Sequence, residues 1–165
     1  MANILTIDDS PEILEVTAHF LRLDGHNPLC FTDGASAVQA AVARPPDVVV
    51  CDINMSDLDG FGVLAALRGN QGTADVPFIF LSSHDDSDRY RKALKGGADD
   101  YITKPVSRKT LAAAIESCLE RCQATALAKT ASHQMATTSG SDTIATDALA
   151  VLTRQTHDHL QGAAA

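Results

Sequence analysis

Five polar side chains that can do chemistry follow four short apolar segments, each of which is typical of a β-strand. Asp8 and Asp9 come after the first segment, Asp52 ends the second, Ser82 follows the third and Lys104 follows the fourth. In an open parallel sheet the carboxyl ends of the strands lie at one edge, and α/β proteins bind ligands there. The sequence therefore predicts that three carboxylates, a hydroxyl and an ammonium meet in one pocket.

These residue types suit a divalent cation together with a phosphoryl group. Mg2+ prefers carboxylate, water and phosphate oxygens, so Asp8, Asp9 and Asp52 are the candidate ligands. Closely packed carboxylates raise one another's pKa, and a bound cation relieves that repulsion. A carboxylate oxygen of Asp52 can attack phosphorus to form an aspartyl phosphate. We expect Lys104 to neutralise charge on the phosphoryl oxygens, which is most of what this transfer requires.

The elements that must position these residues alternate along the chain from residue 3 to about 122. Five strand-helix repeats predict an α/β domain with a doubly wound, five-stranded parallel sheet. The predicted strands are 3–7, 27–31, 47–52, 76–81 and 99–103, and the predicted helices are 11–24, 34–43, 60–69, 86–95 and 107–122. Pro28 places the second strand at an edge, because proline cannot donate to a ladder. The continuously aliphatic third strand is expected at the centre.

The composition changes after this domain. Residues 1–122 form the predicted domain, whereas 123–141 are rich in Ala, Thr and Ser and are predicted to be a flexible linker. Residues 142–165 form a C-terminal tail that carries a thin apolar stripe, compatible with a single helix. That stripe is too small to stabilise a second domain by itself.

Charge and patterning exclude several classes of protein. A formal net charge of −8 argues against direct nucleic-acid binding, which relies on Lys and Arg to neutralise phosphates. No apolar stretch approaches the roughly 20 residues of a membrane span, and the N-terminus has no signal-peptide pattern. We therefore expect a cytoplasmic protein without a membrane partner. The four cysteines lack metal or disulfide spacing and are predicted to be reduced and buried.

Five separated elements together resemble the receiver domain of two-component response regulators, the CheY-like family. They are Asp8-Asp9, Asp52, the run from Asp52-Ile53-Asn54-Met55 to Asp59-Gly60, Ser82, and the block from Gly97 to Pro105. The resemblance is specific, because all five occur in order and at the expected distances over residues 3 to about 122. It implies a flavodoxin-like strand order 2-1-3-4-5 and a phosphorylation-dependent signalling switch.

The resemblance also implies roles for the residues around the phosphoryl group. Asp52 would be the phosphoacceptor, and Asp8 and Asp9 would form the acidic pair that holds Mg2+ directly or through water. Asn54 would offer its backbone carbonyl to the metal, and Lys104 would pair with the phosphoryl group. Such a domain promotes only its own phosphorylation and dephosphorylation, so it is not an enzyme acting on a separate substrate.

Further implied roles concern signal readout. Ser82 would hydrogen-bond a phosphoryl oxygen, and Tyr101 would be the aromatic switch that turns inward as Ser82 moves. Pro105 would be joined to Lys104 through a cis peptide. The phosphoryl donor would be a histidine kinase or phosphotransfer protein, and a downstream protein partner would bind the face of residues 85–110.

Two functions of other classes remain open. The first is a Mg2+-dependent phosphatase with an aspartate nucleophile, but such enzymes resemble a pattern with a second aspartate two residues later, where this chain has Asn54. The second is a scaffold that oligomerises through the C-terminal helix, which would allow a homodimer.

Three polar features near these elements have simpler explanations. Asp99 and Asp100 begin the fifth strand, at the opposite edge of the sheet, and are predicted to be a solvated turn. Asp59 is expected to cap the helix that starts at Gly60. The Lys104 ammonium is expected to be solvated in the free state.

Overall fold

The structure, a computed structural model, describes residues 1–83, 87–125, 127 and 128. The chain divides into two units, Met1–Cys122 and Gln123–Ala165. Residues 123–125, 127 and 128 of the predicted linker are helical, and the rest of the linker and the tail helix predicted within 142–165 lie outside the described residues. None of the helices in the described part is long and apolar enough to cross a membrane.

Five strands alternate with helices in the first unit. The strands are β1 (Asn3–Ile7), β2 (Asn27–Phe31), β3 (Val48–Asp52), β4 (Phe78–Ser82) and β5 (Asp100–Thr103). The helices are α1 (Pro11–Leu23), α2 (Gly34–Ala43), α3 (Gly60–Arg68), α4 (Ser87–Lys95) and α5, which occupies 108–122 of this unit. The strands form one parallel sheet in the order β2-β1-β3-β4-β5, which confirms the predicted fold class. The strand boundaries lie within two residues of the predicted ones.

The position of each strand follows from its residues. β3 lies at the centre of the sheet and all of its residues are buried, as its aliphatic run predicts. β2 lies at an edge and contains Pro28, which pairs with Ile4 of β1. This arrangement places the phosphoacceptor candidate Asp52 at the carboxyl end of the central strand.

The hydrophobic core has two layers, one on each face of the sheet. Val49 and Cys51 point into a cluster that contains residues of α2, α3 and α4. Val48 and Val50, which alternate with them, point into a second cluster with residues of α1 and α5. The period of two in β3 therefore buries both faces of the strand, and its last residue emerges at the sheet edge.

Two helix caps and one close contact between backbone segments hold the loops at the carboxyl edge of the sheet. Ser10 caps α1 and Asp59 caps α3, accepting from the Gly62 amide at 2.7 Å, as the sequence predicted for Asp59. A Cβ at Gly60 would lie 2.5 Å from the Asp52 carbonyl oxygen. The start of α3 thus packs directly on the end of β3 because residue 60 has no side chain.

Asp99 is not the solvated turn that the sequence predicted. Its Oδ2 accepts a hydrogen bond from the Phe78 amide at 2.9 Å and lies 3.4 Å from Arg68 Nη2. The same guanidinium donates to the carbonyls of Gly97 and Val76, at 2.7 and 2.8 Å. Arg68 and Asp99 therefore form a clamp, which we call the Arg68 clamp, that joins α3 to the amino ends of β4 and β5.

The four cysteines are free, but only two of them are buried. Cys51 and Cys118 lie in the core, whereas Cys30 is exposed and Cys122 is half-buried. The prediction of buried thiols was therefore wrong for Cys30, because β2 is an edge strand whose outward residues meet solvent.

Candidate functional site

The predicted acidic residues meet at the carboxyl edge of the sheet. Asp8 and Asp9 follow β1 and Asp52 ends β3, and one carboxylate oxygen from each lies within 4.8 Å of the others. Asp8 and Asp52 are buried, whereas Asp9 is exposed. The cluster thus has two carboxylates within the protein and one at its surface.

Lys104 closes this cluster, and it is not solvated as the sequence predicted. Its Nζ lies 2.7 Å from Asp8 Oδ2 and 2.9 Å from Asp52 Oδ1, and 16% of its side chain is exposed. The ammonium therefore already offsets part of the repulsion among the carboxylates. Acidic clustering alone is consequently a weaker argument for a divalent cation than it was from the sequence.

Burial and charge act in opposition on the pKa values of this pair. Burial raises the pKa of Asp52, the Lys104 ammonium opposes that rise, and the negative charge of Asp8 adds to it. For Lys104, burial lowers the pKa, but the hydrogen bond to Asp8 and the negative charges of Asp8 and Asp52 outweigh it and raise the pKa overall. Lys104 is therefore held firmly in its charged form, whereas burial makes the ionised form of Asp52 less favourable.

The two oxygens of Asp52 have different environments. Oδ2 accepts a hydrogen bond from the Asn54 amide at 3.0 Å, which fixes the carboxylate plane. Oδ1 is buried and accepts no hydrogen bond from the described residues. Its contact with Lys104 Nζ is an ion pair without hydrogen-bond geometry. A buried oxygen with unused lone pairs, beside a cation, is suited to bind a metal ion or attack phosphorus.

The donor set fits Mg2+. Carboxylates of Asp8, Asp9 and Asp52 supply closely spaced oxygens, and the exposure of Asp9 leaves room for the water that this ion retains. Oδ1 of Asp52 adds a buried oxygen that accepts no hydrogen bond from the described residues. The backbone carbonyl of Asn54 as a further ligand stays a prediction.

Arg89 was not among the site residues predicted from the sequence. This residue of α4 donates from Nη1 to Asn54 Oδ1 at 2.9 Å, across 35 residues of sequence. The only signal in the sequence was the run of cations in α4, which is also what the helix dipole favours. Arg89 therefore connects α4 to the loop that follows Asp52.

The predicted switch residues lie in adjacent strands. Ser82 ends β4 and is fully buried, and its carbonyl accepts from the Lys104 amide at 2.7 Å. Tyr101 of β5 is half-buried, and its ring packs edge-on against Tyr90 of α4, with centroids 5.7 Å apart. The peptide bond between Lys104 and Pro105 is cis. The structure therefore connects the acidic cluster to α4 through β4 and β5, although residues 84–86 of the predicted partner face lie outside the described residues.

Comparison with known families decides the class of this site. The response regulator receiver domain matches residues 4–116 of the chain. The chain belongs to the response regulator receiver family. This membership confirms the resemblance seen in the sequence and assigns the acidic edge of the sheet to a signalling domain.

Curated relatives of this receiver chain include transcriptional regulators. The chain is 38% identical over 126 residues to transcriptional regulatory protein KdpE of Mycobacterium tuberculosis, covering 76% of this chain and 54% of KdpE. It is 38% identical over 148 residues to transcriptional regulatory protein PrrA of Mycobacterium leprae, covering 90% and 58%. The chain thus spans little more than half the length of these relatives. Because they are transcriptional regulators, they do not support the expectation that the chain binds no nucleic acid directly.

Solved structures show the same receiver fold. Chemotaxis protein CheY4 of Vibrio cholerae aligns with a TM-score of 0.69 and 27% identity, covering 72% of this chain and 99% of CheY4. The receiver domain of sensor histidine kinase PA1611 from Pseudomonas aeruginosa aligns with a TM-score of 0.68 and 26% identity, covering 72% and 98%. That structure has a magnesium ion coordinated in its active-site cleft.

Proposed function

We propose that this receiver takes a phosphoryl group on Asp52 from a histidine kinase or phosphotransfer protein and then changes its affinity for a downstream protein. The observation that carries the proposal is the buried Oδ1 of Asp52, which accepts no hydrogen bond from the described residues and lies beside the Lys104 ammonium. Such an oxygen is free to form a bond to phosphorus.

The acidic cluster is the proposed Mg2+ site. Asp8, Asp9 and Asp52 would hold the ion, with the Asn54 backbone carbonyl as a further ligand. When bound, Mg2+ supplies positive charge that offsets the charge of the phosphoryl oxygens. The magnesium in the PA1611 receiver domain supports this assignment.

The protein's own residues orient the transfer. The Asn54 amide holds Oδ2 of Asp52, so Oδ1 is the oxygen that attacks. Lys104 lies 2.9 Å from that oxygen and is placed to contact the incoming phosphoryl group, while its bond to Asp8 keeps the ammonium charged and in position. Transfer therefore requires little movement of the chain before the bond to phosphorus forms.

Ser82 and Tyr101 are the proposed readout. A hydrogen bond from the Ser82 hydroxyl to a phosphoryl oxygen exists only after transfer, so it supplies the free-energy difference that a two-state switch requires. Ser82 is tied to the start of the β5–α5 connection through the Lys104 amide, and Tyr101 contacts α4 through Tyr90. The face of residues 85–110 is therefore the proposed surface for the downstream partner.

The proposed receiver is a regulatory domain and not a phosphatase. Asn54 lies two residues after Asp52 and its amide side chain cannot act as the acid or base that the phosphatase pattern requires. Incubation with acetyl phosphate and Mg2+ separates the two functions. We expect labelling that stops at one phosphoryl group per chain and disappears when Mg2+ is chelated. Rapid, continuous release of phosphate over many turnovers would support a phosphatase instead.

We also propose what the phosphorylated receiver controls. Relatives that are transcriptional regulators support an output on gene expression, exerted through a partner or through segments outside the family match. The cytoplasmic location and the homodimer expected from the sequence stay predictions.

A further inference from the structure

A cleft of about 560 Å3 adjoins the acidic cluster and is larger than the phosphoryl group requires. Asp9 belongs both to the acidic cluster and to the wall of this cleft, and Asn54, whose amide donates to Asp52, also lines it. Its other lining residues come from the β3–α3 connection, α3 and α4, namely Ile53, Met55, Ser56, Asp59, Phe61, Arg89 and Lys92. The cleft is therefore continuous with the place where a phosphoryl donor must enter.

Two cations of α4 line this cleft, and in the described residues neither forms an ion pair. Arg89 donates to the neutral amide of Asn54 at 2.9 Å, and Lys92 Nζ lies 4.3 Å from the centre of the Phe61 ring. By contrast, Arg91 of the same helix lies 3.7 Å from Asp88. Arg89 and Lys92 therefore present positive charge to the cleft. Asp9 and Asp59 also line it, but neither carboxylate forms an ion pair with these two cations.

Arg89 is the better placed of the two to act on a reaction at Asp52. The Asn54 amide nitrogen donates to Asp52 Oδ2 at 3.0 Å, and the Asn54 side chain accepts from Arg89 at 2.9 Å. Two hydrogen bonds thus connect the guanidinium to the phosphoacceptor. A guanidinium has five N–H donors in a planar fork that matches a carboxylate, and the contact with Asn54 uses only part of that fork.

We propose that Arg89 binds the carboxylate that leaves when a small acyl phosphate phosphorylates Asp52. This inference rests on the proposed function of Asp52. In the reaction an Asp52 oxygen forms a bond to phosphorus, the bond between phosphorus and the acyl oxygen breaks, and that oxygen keeps the electron pair. The products are the aspartyl phosphate and a free carboxylate, and no proton is transferred.

The cleft offers a cation for the acyl oxygen of such a donor and an apolar surface for its acyl substituent. Negative charge grows on the acyl oxygen as its bond to phosphorus breaks, so a cation fixed at the cleft wall stabilises the transition state more than the ground state. The partly buried side chains of Met55 and Phe61 offer an apolar surface for the small acyl substituent. The ligand class is therefore a short-chain acyl phosphate.

Donors with different leaving groups test the proposal. Acetyl phosphate releases acetate, an anion, whereas phosphoramidate carries its proton on nitrogen and releases neutral ammonia. We expect Arg89→Gln to lower the rate constant with acetyl phosphate about tenfold, because one charge-assisted hydrogen bond is lost. The rate with phosphoramidate should change less than about twofold, and Arg89→Lys should keep part of the acetyl phosphate rate.

The control is Arg91→Gln, which removes an exposed cation from the same helix and should leave both rates unchanged. Phosphorylation by phosphoramidate also shows that each variant is folded. If Arg89→Gln slows both donors equally, or neither, the leaving-group role is wrong while the proposed function of Asp52 stands. If the unmodified chain accepts phosphate from neither donor, both proposals fail.

Discussion

At the scale of single residues, the Lys104 ammonium offsets the negative charge of the buried Asp8 and Asp52 carboxylates. Lys104 lies within 2.9 Å of oxygens from Asp8 and Asp52, so the charge that is proposed to stabilise the phosphoryl group also stabilises the free state. On phosphorylation, Lys104 would then exchange a carboxylate partner for the phosphoryl group, and its ammonium is already in place. This preorganisation reduces the movement needed during transfer.

The raised pKa of Asp52 gives a prediction about stability. Because burial raises the pKa of Asp52 in the folded state, the ionised carboxylate costs folding free energy at neutral pH. The cost is absent below the pKa of the unfolded side chain, about 3.9, and is complete above the folded-state pKa. We therefore expect Asp52→Asn to raise the melting temperature at pH 7 by a few degrees and the gain to shrink as the pH falls toward 4.

The matched control for this prediction is Asp57→Asn, which changes an exposed carboxylate of the same loop. Thermal unfolding of the two variants at several pH values is the measurement. Equal melting temperatures for Asp52→Asn and the unmodified chain at pH 7 would show that the carboxylate carries no such cost.

Removal of Lys104 gives a second prediction at this scale. Lys104→Ala leaves Asp8 and Asp52 without their cation, and breaking a buried pair in this way costs about 3 kcal/mol. We expect a lower melting temperature without Mg2+ and a larger rise on addition of Mg2+ than in the unmodified chain. Calorimetry with and without Mg2+ tests this, and an equal response to Mg2+ in both proteins would contradict it.

At the scale of elements, the strands and helices followed from the sequence, whereas contacts between distant side chains did not. The apolar runs that end at Asp52 and Ser82 predicted β3 and β4 because burial on both faces needs continuous apolar residues. The pairing of Asp99 with Arg68 spans 31 residues, and nothing in the local pattern of either residue indicates it. The direction of a long flexible side chain is decided by the packed fold, which is also why the contact between Arg89 and Asn54 was missed.

The Arg68 clamp gives a prediction about element packing. Arg68→Ala removes the donors to the carbonyls of Val76 and Gly97, so we expect a loss of about 2 kcal/mol in unfolding free energy. Arg91→Ala breaks only an exposed pair with Asp88 and should cost a few tenths of a kcal/mol.

Urea unfolding of these two variants tests the clamp. Phosphorylation by acetyl phosphate should remain in Arg68→Ala, because the clamp lies at the edge of the sheet opposite Asp52. Equal stability losses in the two variants would show that the clamp contributes no more than a surface pair.

At the scale of the whole molecule, the proposed signal passes from the acidic edge to the face of residues 85–110. Ser82 and Tyr101 lie in neighbouring strands, and Tyr101 contacts α4 through Tyr90. With beryllofluoride, a phosphoryl mimic, we expect changed hydrogen exchange within residues 82–110. Changes confined to residues outside that range would contradict the route from Ser82 to α4.

Asp52 is the proposed phosphoacceptor on which the other proposed roles depend, and intact mass spectrometry tests this directly. The chain is incubated with acetyl phosphate and Mg2+, alongside Asp52→Asn and the control Asp57→Asn. We predict one added phosphoryl group in the unmodified chain and in Asp57→Asn, and none in Asp52→Asn. Among the described residues, only Asp52 has a buried carboxylate oxygen that accepts no hydrogen bond and lies beside the Lys104 cation. Phosphorylation of Asp52→Asn at the same rate as the unmodified chain would contradict the account.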